Sequence, residues 1–99
     1  MAFFQVTAFE LKNKAEELRD LNQRFLNEEE KLSNYHDALN GMWEGETKES
    51  FSREFIRDKS RMDSFFNAIN QYIEALNIVA SKYEEAENRN VALANSRTV

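Results

Sequence analysis

The fold is decided by a short stretch, Gly41-Met42-Trp43-Glu44-Gly45, in which the only two glycines of the 99-residue chain bracket its only tryptophan. The chain contains no proline. Glycine and proline are the strongest local breakers of regular structure. This distribution therefore predicts one sharp reversal at 41–45, and the chain is expected to be an all-α, antiparallel helix-turn-helix hairpin.

The first helix is predicted over residues 8–40. Thr7, followed by Glu10, is typical of a helix N-terminus, and Asn40 with Gly41 suits its C-terminus. Apolar residues recur every seven positions along it and form a helical stripe: Leu11, Leu18, Phe25, Leu32 and Leu39. The acidic run 28–30 and His36 are expected on the solvated surface or partly exposed, rather than in an ion site.

The second helix is predicted over residues 46–87. Its apolar stripe contains Phe55, Met62, Phe65, Ile69, Tyr72, Leu76 and Val79. Residues 88–99 lack a long periodic pattern and are expected to form a flexible tail. The whole chain, 1–99, is expected to be a single domain.

The second helix is too broadly apolar to be covered by one neighbouring helix. Between Ser64 and Ser81 its only charged residue is Glu74. Soluble monomers usually avoid an exposed apolar patch of that width, so a partner surface is implied. The simplest partner is a second copy, which gives an elongated four-helix bundle. A membrane span is disfavoured because asparagines and Glu74 interrupt the stretch.

Composition excludes several classes of function. A net charge of −5 argues against nucleic-acid binding. The absence of cysteine excludes disulfides and thiol catalysis. The single histidine, His36, has no second histidine or cysteine with which to hold a metal, and two glycines cannot build a phosphate loop. We therefore expect no enzyme activity, no cofactor and no metal. Residues 1–9 lack the positively charged n-region of a cleavable signal peptide, and none is predicted.

Two short motifs carry a more specific signal. Trp43-Glu44-Gly45 lies midway along the chain between two amphipathic helices, and Tyr83-x-x-x-Glu87 stands at the predicted end of the second. Together with the length, these motifs resemble the WXG-hundred (ESAT-like) family of type VII, or ESX, secretion proteins. The resemblance covers about residues 4–87. Trp43 also suits packing at the end of the bundle, Tyr83 suits the last position of its stripe, and Gly45 suits a place that a larger residue would crowd.

The resemblance implies a small non-enzymatic protein that is made in the cytoplasm of a Gram-positive bacterium. It would be exported as a folded dimer, without a cleaved signal peptide, by a membrane-bound FtsK/SpoIIIE-type ATPase. Trp43, Gly45, Tyr83 and Glu87 would form the secretion motif, and the partner would be a second copy or a related family member. The secreted protein would act as an effector or as a carrier for other substrates. The alternative is a cytoplasmic helical adaptor or chaperone that binds a larger helical client.

Overall fold

The structure is a computed structural model that describes residues 6–97. These residues contain two α-helices, α1 (Ala8–Met42) and α2 (Glu46–Ser96), and no strand. Residues 1–5, which belong to the segment in which no signal peptide is expected, lie outside the described residues. Packing contacts divide the chain into two compact units. We call Met1–Arg19 with Gln71–Val99 the terminal unit, and Asp20–Asn70 the turn unit.

Helix α1 begins at Ala8, as the sequence predicts, because Thr7 caps it. The Glu10 backbone N–H donates to Thr7 Oγ1 at 3.1 Å, and the Leu11 N–H donates to the Thr7 carbonyl at 3.1 Å. The first N–H groups of a helix have no partner within the helix. A threonine hydroxyl at this position satisfies one of them and typically stabilises a helix by about 1 kcal/mol.

Helix α1 continues past its predicted end, and the predicted C-terminus at Asn40 and Gly41 was wrong. The helix ends at Met42 and includes Gly41. Glycine inside a helix costs only about 1 kcal/mol relative to alanine, so Gly41 alone does not stop it. The Asn40 side chain is used elsewhere, because its Oδ1 accepts a hydrogen bond from Ser52 Oγ at 2.9 Å.

Helix α2 also continues past its predicted end at residue 87, and the expectation of a flexible tail was wrong for residues 88–96. The helix reaches Ser96 without a break. No glycine or proline occurs after Gly45, and alanines at 86, 92 and 94 favour the helical backbone. Helix formation here therefore follows from local propensity, since the side chains of residues 81–97 are exposed.

In the terminal unit the two helices pack through small or aliphatic side chains. Ala8, Ala15, Ile73 and Ala80 are all buried, with Ala15 and Ala80 at 0% exposure. The Ala8 N–H contacts Glu87, and Lys12 forms an ion pair with Glu84. Because later residues of α1 meet earlier residues of α2, the two segments run antiparallel.

In the turn unit the order of contacts is again antiparallel. Asn22 contacts Phe66 and Asn70, whereas Asn40 contacts Ser52. The rings of Phe25 and Phe65 lie 5.2 Å apart and are tilted by 57°, a favourable geometry for an aromatic pair. Among the described residues, neither helix has a stretch apolar enough to span a membrane.

Candidate functional site

Trp43 lies in the connection between the helices and is held by packing. Its ring is tilted by 45° to that of Phe51, with centroids 5.6 Å apart. The side chain is half-buried. A tryptophan that is only partly buried keeps part of its ring exposed for a partner. Packing and recognition are thus compatible roles for Trp43.

Gly45 is required by backbone conformation. Its φ is +107°, a region that side-chain-bearing residues rarely adopt. A Cβ built on Gly45 would meet nothing within 4 Å, so the expectation that a larger residue would be crowded was wrong. The Gly45 carbonyl accepts a hydrogen bond from the Glu49 N–H at 3.2 Å. Gly45 therefore supplies the positive φ directly before α2.

The second motif, Tyr83-x-x-x-Glu87, lies on α2 in the terminal unit. The Tyr83 side chain is 47% exposed. The Glu87 carboxylate is engaged, because its Oε1 accepts a hydrogen bond from the Ala8 backbone N–H at 3.2 Å. The two residues of this motif therefore have different surroundings. The structure brings Tyr83 and Glu87 together in one unit, and Trp43 and Gly45 together in the other.

The predicted stripe is only partly covered. Its half-buried members are Leu11, Leu18, Phe25, Phe55, Met62, Ile69 and Leu76. Its exposed members are Leu32, Leu39, Phe65, Tyr72 and Val79. In each unit, large apolar side chains thus remain at the surface of this single copy.

A buried polar row was missed by the reading of the sequence. Asn22, Glu29 and His36 are 4%, 4% and 8% exposed. Asn22 Nδ2 donates to the Phe66 carbonyl at 3.1 Å and to Asn70 Oδ1 at 3.0 Å. The expectations that Glu29 is solvated and that His36 is partly exposed were wrong. Both lie one heptad apart on the side of α1 that faces α2 within the turn unit, in register with Ala8 and Ala15. That spacing is the signal that could have found them.

Glu29 shares its site with Lys59 and Asp63. Lys59 Nζ lies 3.7 Å from Glu29 Oε1 and 3.3 Å from Asp63 Oδ2. The pKa of the Glu29 carboxyl is raised, mainly by a hydrogen bond with Asp63 and to a smaller extent by burial, whereas Lys59 opposes this rise. The pKa of Asp63 is lowered, mainly by the hydrogen bond from Glu29 and to a smaller extent by the hydrogen bond from Lys59. When ionised, both carboxylates only accept, and the Glu29 oxygens have no donor within hydrogen-bonding distance. When Glu29 is protonated, its O–H supplies the missing donor.

His36 is held by aromatic stacking. Its ring is almost parallel to that of Phe55, with centroids 4.1 Å apart and an angle of 5°, and it also stacks on Phe51. Its Nε2 is buried without a hydrogen-bond partner. Phe51 also contacts Trp43, so the histidine and the turn motif belong to one aromatic cluster, His36–Phe51–Phe55–Trp43.

No group of three or more histidine, aspartate or glutamate side chains in residues 6–97 is arranged to hold a metal ion.

Comparison with known proteins identifies the family. The model of the WXG100 family, described as proteins of 100 residues with WXG, matches residues 4–88. The chain belongs to the WXG100 family. Among solved structures, this WXG100 chain is similar to the secreted protein EsxB from Bacillus anthracis str. Sterne, with a TM-score of 0.77 and 24% identity over 88% of this chain and 99% of that one. A point mutant of the same EsxB protein gives a TM-score of 0.76 and 25% identity over 86% of this chain and 98% of that one.

The likeness confirms the predicted all-α, two-helix hairpin fold of this WXG100 protein. No curated protein matches its sequence.

Proposed function

We propose that this chain is a small non-enzymatic protein that a type VII (ESX-like) secretion system exports as a folded dimer. The observation that carries the proposal is the presence of both Trp43-x-Gly45 and Tyr83-x-x-x-Glu87 in a WXG100 chain. The secreted nature of the similar EsxB protein supports it. Outside the cell, the protein acts as an effector or as a carrier for other substrates.

The proposed export signal uses surfaces that the fold leaves available. The Tyr83 ring is about half exposed, and Trp43 is only half-buried. The recognising partner is a membrane-bound ATPase of the FtsK/SpoIIIE type. Export does not require a cleaved signal peptide, and the protein is made in the cytoplasm before it is secreted.

The proposed dimer is supported by the exposed apolar side chains. Phe65, Tyr72 and Val79 on α2 are 52%, 58% and 41% exposed, and Leu32 on α1 is 46% exposed. Covering such residues is the main driving force for association. The partner is a second copy or a related family member. Light scattering of the purified chain at micromolar concentration tests this: a dimer mass supports the homodimer, and a monomer mass points to a different partner.

Export is tested by comparing culture supernatant with cell lysate in a Gram-positive host, with the ESX-type ATPase present or deleted. We expect the protein in the supernatant only when the ATPase is present. Tyr83→Ala should abolish export while leaving the helical dimer intact. Tyr35→Ala is the matched control, because Tyr35 is also exposed, at 68%, but lies outside both motifs.

The outcomes separate the proposal from its alternative. Retention of the wild-type chain in the lysate of an ESX-competent host would contradict export and would favour the cytoplasmic adaptor or chaperone. If Tyr83→Ala also lost its cooperative thermal unfolding, Tyr83 would act through packing rather than through recognition.

A further inference from the structure

The two residues of the Tyr83-x-x-x-Glu87 motif differ in their contacts with the rest of the chain. Side chains at positions i and i+4 lie on the same side of a helix. The Tyr83 side chain is 47% exposed and has no ring contact with another described residue. The Glu87 carboxylate, by contrast, bonds to the backbone of α1. One member of the motif is available to a receptor, and the other already has a partner.

The partner of Glu87 is a group that the helix itself cannot satisfy. Ala8 is the first residue of α1, and its N–H has no acceptor within that helix. Ala8 is also buried, at 4% exposure, so water does not readily replace the missing acceptor. Glu87 Oε1 supplies it at 3.2 Å. A carboxylate is well suited to this place, because the N-terminus of a helix carries partial positive charge.

A second contact holds the same two segments together. Lys12, one turn into α1, forms an ion pair with Glu84, which lies just before Glu87 on α2. Both side chains of this pair are about half exposed, and exposed ion pairs contribute little to stability. The part-buried hydrogen bond from the Ala8 N–H to Glu87 is therefore expected to contribute more than this ion pair.

We propose that Glu87 is a positioning residue: its hydrogen bond to Ala8 holds this part of α2 against the start of α1. Within the motif, only the Tyr83 side chain is recognised by the secretion machinery. This inference rests on the proposed function for its export arm. The hydrogen bond between Glu87 and Ala8 holds the helical turn that carries Tyr83 against α1. The secretion machinery then meets a tyrosine whose position is defined, and it does not contact the Glu87 carboxylate.

Two substitutions of Glu87 distinguish positioning from direct recognition. Glu87→Gln keeps an oxygen that can accept the Ala8 N–H bond but removes the charge. Glu87→Ala removes both. Glu85→Ala is the matched control, because Glu85 is an exposed glutamate in the same turn that forms no hydrogen bond or ion pair with another described residue. Each variant is examined in the full chain by amide hydrogen exchange at Ala8 and by export into the culture supernatant.

We expect Glu87→Ala to raise the exchange rate of the Ala8 amide about five-fold, the effect of losing a typical helix cap, and to abolish export. Glu87→Gln should retain most of the protection and at least half of the export. Glu85→Ala should change neither. Tyr83→Ala should abolish export with Ala8 protection unchanged, which separates the two roles.

Loss of export in Glu87→Gln with Ala8 still protected would overturn the inference, because the carboxylate itself would then be recognised. Normal export of Glu87→Ala despite a faster Ala8 amide would overturn it as well. If the wild-type chain is not exported, the proposed function fails, and the exchange rates alone decide whether Glu87 fastens Ala8.

Discussion

In the terminal unit and in the turn unit, the buried residues of α1 follow one heptad spacing, but they are apolar in the first unit and polar in the second. The heptad row that starts at Ala8 and Ala15 in the terminal unit continues as Asn22, Glu29 and His36 in the turn unit, and all of these residues are buried. The first part of the row has no polar side-chain atoms. The second part has buried polar atoms on each residue that lack hydrogen-bond partners, including Glu29 Oε1 and Oε2 and His36 Nε2.

This difference shows that register fixes which positions are buried but not how much each position stabilises the fold. Burial of an aliphatic side chain such as Ile73 is favourable by about 2 kcal/mol. Burial of a polar group without a partner is unfavourable by about 1 to 3 kcal/mol. Apolar burial should therefore dominate the stability of the terminal unit. In the turn unit, aromatic contacts must offset the desolvation of the polar row.

The largest expected effect is in the terminal unit. Ile73→Ala removes a side chain that is 3% exposed and should lower the free energy of unfolding by about 3 kcal/mol. Ile78→Ala is the matched control, because Ile78 is 58% exposed on the same helix and should change stability by less than about 0.5 kcal/mol. Urea unfolding followed by circular dichroism measures both. Equal losses of stability in the two variants would contradict this account, since burial would not then explain stability.

An intermediate effect comes from the two glycines, both of which lie in the turn unit. Gly45→Ala places a side chain at φ +107° and should cost about 1 to 3 kcal/mol through backbone strain. Gly41→Ala should instead stabilise the protein by about 0.5 to 1 kcal/mol, because Gly41 is helical and alanine is the better helix former. A Cβ at either glycine has open space, so opposite signs in thermal melts would isolate conformation as the cause. Equal signs would contradict this account.

The smallest effect tests the polar row directly. Glu29→Gln should stabilise the protein slightly at neutral pH, because the raised pKa of the Glu29 carboxyl means that its ionised form is disfavoured in the folded chain, and a neutral amide does not ionise. Glu30→Gln is the matched control, since Glu30 is exposed in the same acidic run and should have no measurable effect.

The pH dependence of Glu29→Gln follows from the raised pKa of Glu29. A pKa raised by folding contributes stability that is present below the ordinary value of 4.5 and is lost as pH rises through the folded value. The wild-type chain and the variant should therefore converge below pH 4.5 and diverge towards neutral pH. The lowered pKa of Asp63 acts in the opposite sense. Its contribution to stability is present at neutral pH and is lost only as pH falls through the folded-state pKa of Asp63. A variant that is less stable than wild type at neutral pH would contradict the assignment.

Hydrophobic periodicity located the helices but did not show that the row with Asn22, Glu29 and His36 would be among the most buried positions of α1. Leu32 and Leu39, chosen because they are apolar, are 46% and 45% exposed. Glu29 and His36, set aside because they are polar, are buried. A pattern of apolar residues identifies the surface that avoids water. It does not separate the side that meets the neighbouring helix from an adjacent side left open for another partner.

The two-helix fold, the place of the reversal and the start of α1 could be predicted from the residues alone, because these features depend on local properties: glycine distribution, the Thr7 cap and helical periodicity. The sequence also contained both family motifs. Three features became visible only in the folded chain. Glu87 bonds to Ala8, Glu29 lies beside Lys59 and Asp63, and Gly45 is required by its backbone conformation rather than by lack of space for a side chain. The first two of these depend on which α2 residue lies opposite each α1 residue, and periodicity along one helix does not specify the register between two.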